Sequence, residues 1–153
     1  MSVAFRRDGD EEHLEPKFEL PIPPGPNRVT ARGLALIEEK LAALDATLAG
    51  LTGEESIKAA QRERRYWLTR HATAEVMPEP KGDVVVFGCA VDFELGGKRR
   101  TVTIVGDDEA DPASGRISFT APLARAMMGA EVGETVDFGS TPEGITILSI
   151  GVA

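Results

Sequence analysis

Cysteine occurs once, at Cys89, tryptophan once, at Trp67, tyrosine once, at Tyr66, and histidine only at His13 and His71. One cysteine cannot form an internal disulfide, and with two widely separated histidines it excludes the zinc patterns built from Cys and His. No glycine-rich phosphate loop is present, and neither Ser56 nor Ser118 has the Gly-x-Ser-x-Gly context of a nucleophile elbow. No stretch approaches the ~18 apolar residues of a membrane span. The opening MSVAFRRDGDEEH has two arginines without an apolar run behind them, unlike a secretory signal. The cytoplasm is the expected compartment. With no self-contained active site in view, the chain is expected to act on a partner rather than as an enzyme.

What is present is a chain of 153 residues, 42% hydrophobic and 27% charged, with a net charge of −8. The length suits one domain or a small domain with an appendage. The negative charge argues against general affinity for nucleic-acid backbones and suits a basic partner surface or a metal site. Cys89 lies in the apolar run VVVFGCAVDF, where a buried structural thiol is expected.

Residues 1–28 read as an extended N-terminal arm, either a floppy tail or an arm that orders on a partner. Pro21, Pro23, Pro24 and Pro26 remove amide donors and disfavour helix before them. Residues 29–77 read as an antiparallel helical hairpin. Thr30 is a plausible N-cap. Leu34, Ile37, Leu41, Leu44, Leu48 and Leu51 recur at alternating spacings of three and four, the seam of a helix packed along one other. Gly50 and Gly53 bracket a turn. A second arm from about Glu55 to Met77 offers Ile57, Ala60, Arg64, Trp67, His71 and Ala74 at the same spacing. Residues 29–55 hold five acids and two bases, whereas 56–77 hold five bases and two acids, a balance that favours pairing of the arms with each other. Twenty helical residues span ~30 Å.

Pro78 and Pro80 end the helical pattern, and residues 78–153 read as a small antiparallel β domain with one short helix. VVVFGCAVDFEL and KRRTVTIV flank a Gly96-Gly97 hairpin turn. GRISFT is a further strand, PLARAMMGA a helix with Pro122 in its first turn, and TVDFGS and GITILSIGV a closing pair joined at Pro142-Glu143-Gly144. The fold class is α+β.

Two acidic groups stand out. Asp107, Asp108, Glu109 and Asp111 lack the spacing of a calcium loop and, taken bare, read as a solvated loop. Glu54 and Glu55 sit at the hairpin tip, either as surface charge at a helix N-terminus or as carboxylates held out to a partner's metal ion.

The segment IVGDDEADPASGRISFTAPLARAMMGAEVGETVDF closely resembles the C-terminal domain of the Gre family of bacterial transcript-cleavage factors. Gly106–Asp111, Pro122-Leu123-Ala124-Arg125-Ala126 and Gly133-Glu134 match its pattern, while Ala121 stands where the family usually has serine. VVVFGCAVDF is similar to the family's first strand, Thr30-Ala31-Arg32-Gly33 to the opening of its first helix, and RRYWLTR to the end of its second.

The resemblance implies a coiled coil on an FKBP-like domain that docks at the rim of the RNA polymerase secondary channel. By position, Asp107, Asp108, Glu109, Asp111, Pro122, Leu123 and Arg125 would form the docking surface. Glu54 and Glu55 would be the tip carboxylates that complete a Mg²⁺ site with the polymerase and support cleavage of backtracked RNA, with no cofactor of the chain's own and a monomeric state expected. Each arm is about ten residues shorter than in cleavage-competent members, or ~15 Å of reach, and the tip reads Gly53-Glu54-Glu55-Ser56 without the family's spaced acids. The alternative is therefore a non-cleaving regulator at the channel mouth, similar to the short-coil nucleoside diphosphate kinase regulators. An FKBP-type prolyl isomerase needs an aromatic-lined pocket, for which the β domain offers only Phe87, Phe93, Phe119 and Phe138. A plain oligomerisation module would betray itself by a concentration-dependent mass.

Overall fold

The computed structural model describes residues 19–152, so His13 and most of the arm lie outside the described residues. By their contacts the described residues divide into two units, one of residues 19–25 and 37–73, the other of residues 26–36 and 74–152. Among the described residues no helix is long and apolar enough to cross a membrane.

The first unit carries most of two helices, α1 (Ala31–Gly50) and α2 (Glu54–Thr73). Gly53 takes a φ of 95°, which glycine alone adopts cheaply, and its carbonyl accepts the Ile57 amide to start α2. Along the expected seam Ile37 is buried and Leu41, Leu44, Leu48 and Leu51 are half-buried. Opposite them Ala60 is buried, and Ile57, Arg64 and Trp67 are half-buried. Arg64 pairs with Asp45 at 2.6 Å and His71 with Glu38 at 3.2 Å, partners that converge in number as they would across two antiparallel helices. Arg70, one of the five bases of the second arm, is buried at 2% exposed.

α2 stops at Thr73, short of Met77. The Thr73 hydroxyl turns back to the Thr69 carbonyl, and Pro78 disfavours helix at the residue before it. The freed backbone pairs instead: β1 (Arg28–Val29) runs parallel to β2 (Glu75–Val76), with the Glu75 amide donating to Asn27 and the Met77 amide to Val29, both at 2.9 Å.

The second unit is built on a five-stranded sheet of order β5-β4-β3-β7-β6. β3 (Cys89–Leu95) and β4 (Lys98–Val105) form the expected hairpin, with Gly96 and Gly97 both at positive φ. β3 begins five residues later than VVVFGCAVDF suggests. Val85 instead exchanges backbone hydrogen bonds with the loop after α3 (Pro122–Met127), at Gly129 and Ala130, and Gly88 turns at φ 92°. The closing pair is β6 (Thr135–Phe138) and β7 (Thr141–Val152), and its turn falls at Gly139-Ser140 rather than Pro142-Glu143-Gly144. Pro142 is tolerated inside β7 because the register slips there, beside the edge strand.

The sheet is mixed and not wholly antiparallel as expected: β5 (Arg116–Ser118) runs parallel to β4, with Thr103 opposite Arg116. A parallel neighbour requires a crossover, and residues 106–115, the acidic run itself, supply it through two short 3₁₀ turns, Asp107–Glu109 and Pro112–Ser114. Strand alternation puts Cys89, Val91 and Phe93 on the same buried face as Val102, Ile104, Ile145 and Ile147. α3 covers this face with Ala124 and Met127. Cys89 is buried, as expected.

On the other face, Asp92 accepts hydrogen bonds from Thr101, from Ser149 at 2.9 Å and from Arg99 at 3.2 Å. These donors, Thr101 foremost, hold its carboxyl below the usual aspartate range. Because the folded value lies below the unfolded one, the group stabilises the fold above the unfolded value and loses that contribution as pH falls through the folded value. Asp92→Asn is expected to flatten the stability profile below about pH 4, measured by urea denaturation at stepped pH; an unchanged acid limb would contradict the assignment.

Candidate functional site

The acidic crossover was expected as a loop, and its carboxylates do not converge on one point. Among the described residues no group of three or more His, Cys, Asp or Glu is arranged to hold a metal ion. Each carboxylate with a defined partner is engaged locally. Asp107 accepts from the Ser118 hydroxyl at 2.6 Å and the Thr120 hydroxyl at 3.2 Å, tying the crossover to the turn that leads into α3. Asp111 accepts from the Ser114 hydroxyl at 2.7 Å and lies 3.5 Å from the Arg116 guanidinium. Asp108 is half-buried.

Glu109 differs from its neighbours: its side chain is 4% exposed. A buried carboxylate needs compensating donors, and both come from the first turn of α1. The Thr30 hydroxyl donates to Oε1 at 2.6 Å and the Arg32 guanidinium to Oε2 at 3.0 Å. The same Thr30 oxygen accepts the Gly33 amide at 2.9 Å, so one hydroxyl caps the helix and holds Glu109. Gly33 leaves room for this approach: a Cβ there would lie 2.9 Å from Glu109 Oε1 and oblige the carboxylate to shift. Gly106 is required on the other side of the clasp, where a Cβ would stand 2.2 Å from the Arg28 carbonyl oxygen. Arg28 extends its guanidinium over the Phe119 ring, 5.5 Å from the centroid, and Phe119 packs edge-on against Phe87.

The surface beside this clasp is a cleft of about 560 Å³, lined by Met77, Pro80, Phe87, Val105, Arg116 and Val152 among others. Phe87 is the one aromatic ring in its lining, which is not the aromatic cage an isomerase of the FKBP type requires.

The remaining candidates fall in two places. At the start of α3, Pro122 and Arg125 are exposed, while Leu123 packs against the core. Pro122 occupies the first helical turn, as expected. Glu54 and Glu55 form the first turn of α2, both exposed, with Glu54 3.7 Å from Lys58 one turn on.

A family model described as the C-terminal domain of the transcription elongation factors GreA and GreB matches residues 79–151, the span of the five-stranded sheet. The transcription elongation factor GreA of Desulfovibrio desulfuricans is 33% identical over 149 residues, covering 82% of this chain and 92% of that protein. The chain belongs to the GreA/GreB family. The transcription elongation factor GreB of Neisseria meningitidis is 39% identical over 108 residues, 65% of each chain. The crystal structure of the GreA factor homolog 1 protein of Thermus thermophilus aligns at 20% identity over 82% of this chain, with a TM-score of 0.38.

Within this Gre-family chain, sequence reasoning found the acidic run, the α3 start and the Thr30-Ala31-Arg32-Gly33 opening as separate motifs. It did not connect the last with Glu109, which lies 79 residues from Thr30. No periodicity spans that distance. Glu109→Ala is expected to destabilise the protein by about 1–3 kcal/mol, the scale of hydrogen bonds to a charged group, and Gly106→Ala by about 1–3 kcal/mol through overpacking. Chemical denaturation of both checks this; a loss within error at Glu109 would mean the clasp contributes nothing.

Proposed function

We propose that this chain binds RNA polymerase at the rim of its secondary channel and modulates transcript elongation. The observation that carries the reading is the family match on residues 79–151, which covers both the acidic crossover and the start of α3. In this reading residues 78–153 are the FKBP-like docking domain and residues 29–77 the helical hairpin that enters the channel. Asp107, Asp108, Asp111, Pro122 and Arg125 supply the contact surface. Glu109 and Leu123 support it from beneath, because one is buried by its clasp and the other packs on the core. The chain acts through the polymerase and remains a monomer.

The tip carries what cleavage chemistry there is. Glu54 and Glu55 are exposed carboxylates, suited to an oxygen-preferring cation such as Mg²⁺. A Mg²⁺ shared with the polymerase would activate a water for phosphodiester hydrolysis. Neighbours on a helix point about 100° apart, and Glu54 already faces Lys58, so Glu55 is the freer of the two to meet such an ion.

Two observations favour a regulator that docks without cleaving. α1 and α2 are 20 residues each, ~30 Å long. The alignment with the Desulfovibrio factor runs over 149 positions but takes in 82% of this chain, about 125 residues, so about 24 positions of the relative have no counterpart here. Metal coordination tolerates errors of only about 0.2 Å, so arms shortened by even one helical turn would leave the tip carboxylates out of reach.

The test is a polymerase complex halted in a backtracked register, mixed with the purified protein and Mg²⁺, with RNA length followed over time. The short helices predict binding without 3′ shortening. Shortening that vanishes in Glu54→Ala/Glu55→Ala would establish the cleaving reading instead. Failure to bind the polymerase at all would overturn both.

A further inference from the structure

The proline-rich segment that leads into β1 does not stand alone. Residues 19–25 belong to the same unit as the helices, and Glu19 meets Arg65 of α2 in a two-pronged pair, with Nε donating to Oε1 at 3.1 Å and Nη2 to Oε2 at 2.6 Å. This planar fork is the strongest geometry an arginine and a carboxylate can adopt. The Arg65 fork, with a smaller pull from Arg62, holds the Glu19 carboxyl below its ordinary value.

Among the described residues, only Pro23 of the segment is half-buried. Leu20 and Ile22, its apolar residues, remain 38% and 44% exposed. Both members of the pair are themselves about half exposed, at 56% for Glu19 and 53% for Arg65. Between the pair and the second unit stand Pro21, Pro23 and Pro24, which favour a stiff extended chain of ~3.1 Å per residue. The stiff stretch ends at Gly25, at φ 85° with nothing near its missing Cβ, followed by Pro26. Among the described residues, the segment thus combines a stiff stretch, a glycine at one end and an exposed ion pair at the other.

We propose that residues 19–25 are a releasable strap, latched to α2 by Glu19 on Arg65 and hinged at Gly25, that must open before any partner can use the Arg65 guanidinium. Because both groups are about half exposed, water and salt screen the latch, and it favours the closed position only modestly. A carboxylate-bearing partner therefore displaces it at small cost, and its apparent affinity falls only by the closed fraction. The strap does not depend on the polymerase reading and can fail or stand without it.

The test uses the full chain with spin labels at Leu20→Cys and Gln61→Cys; native Cys89 is buried and out of reach of the label. Pulsed dipolar spectroscopy in low salt is expected to give one dominant short distance. A longer population should grow several-fold as salt is raised to ~1 M, where screening reaches ~3 Å, and equally in Glu19→Gln. The charge-swapped pair Glu19→Arg with Arg65→Glu should restore the short distance. A distribution that is unchanged in Glu19→Gln or by salt would show the segment fixed by other contacts and overturn the proposal. So would a broad distribution in the unaltered pair at low salt.

Discussion

Glu109 is a carboxylate almost wholly covered by the fold, and the local architecture follows from satisfying it. Its two oxygens take a hydroxyl from Thr30 and a guanidinium from Arg32. Those residues must therefore lie against the crossover between β4 and β5. That requirement sets the first turn of α1 on the sheet unit; glycine is necessary beside it at position 106, where a side chain would meet the Arg28 carbonyl, and leaves room for the carboxylate at position 33. β1 and β2 then pair beside it, and α2 ends where it does because its downstream backbone is needed as a strand.

The crossover is consequently more than a solvated acidic loop. Asp107 and Asp111 organise the turns on either side of Glu109, and Asp107 reaches the approach to α3 through Ser118 and Thr120. Acidic side chains that look interchangeable in the sequence divide into one interior strut and several surface groups. For a protein proposed to dock through this face, the division matters: an alanine at Glu109 changes the scaffold, whereas one at Asp108 or Arg125 changes a half-buried or exposed group.

The helical unit follows a different logic. Its seam of leucines is only half-buried and its cross-helix ion pairs are exposed, so it rests on modest apolar contact supported by charge complementarity. The same charge separation leaves α2 with an arginine-rich face, and Glu19 reaches one of those arginines from outside the helices.

Periodicity alone determined the two helices, their turn at Gly50–Gly53, the β3–β4 hairpin and the short helix after Pro122, because each is set by neighbours a few residues apart. The motifs of the sheet unit were enough to place the chain in its family. Tertiary structure decided the rest. β5 runs parallel to β4, the final turn moves to Gly139-Ser140, α2 yields its last residues to β2, and Glu109 turns inward. Each of these outcomes depends on partners tens of residues away, where desolvation and backbone pairing override local preference, and no local pattern in a single sequence carries that information.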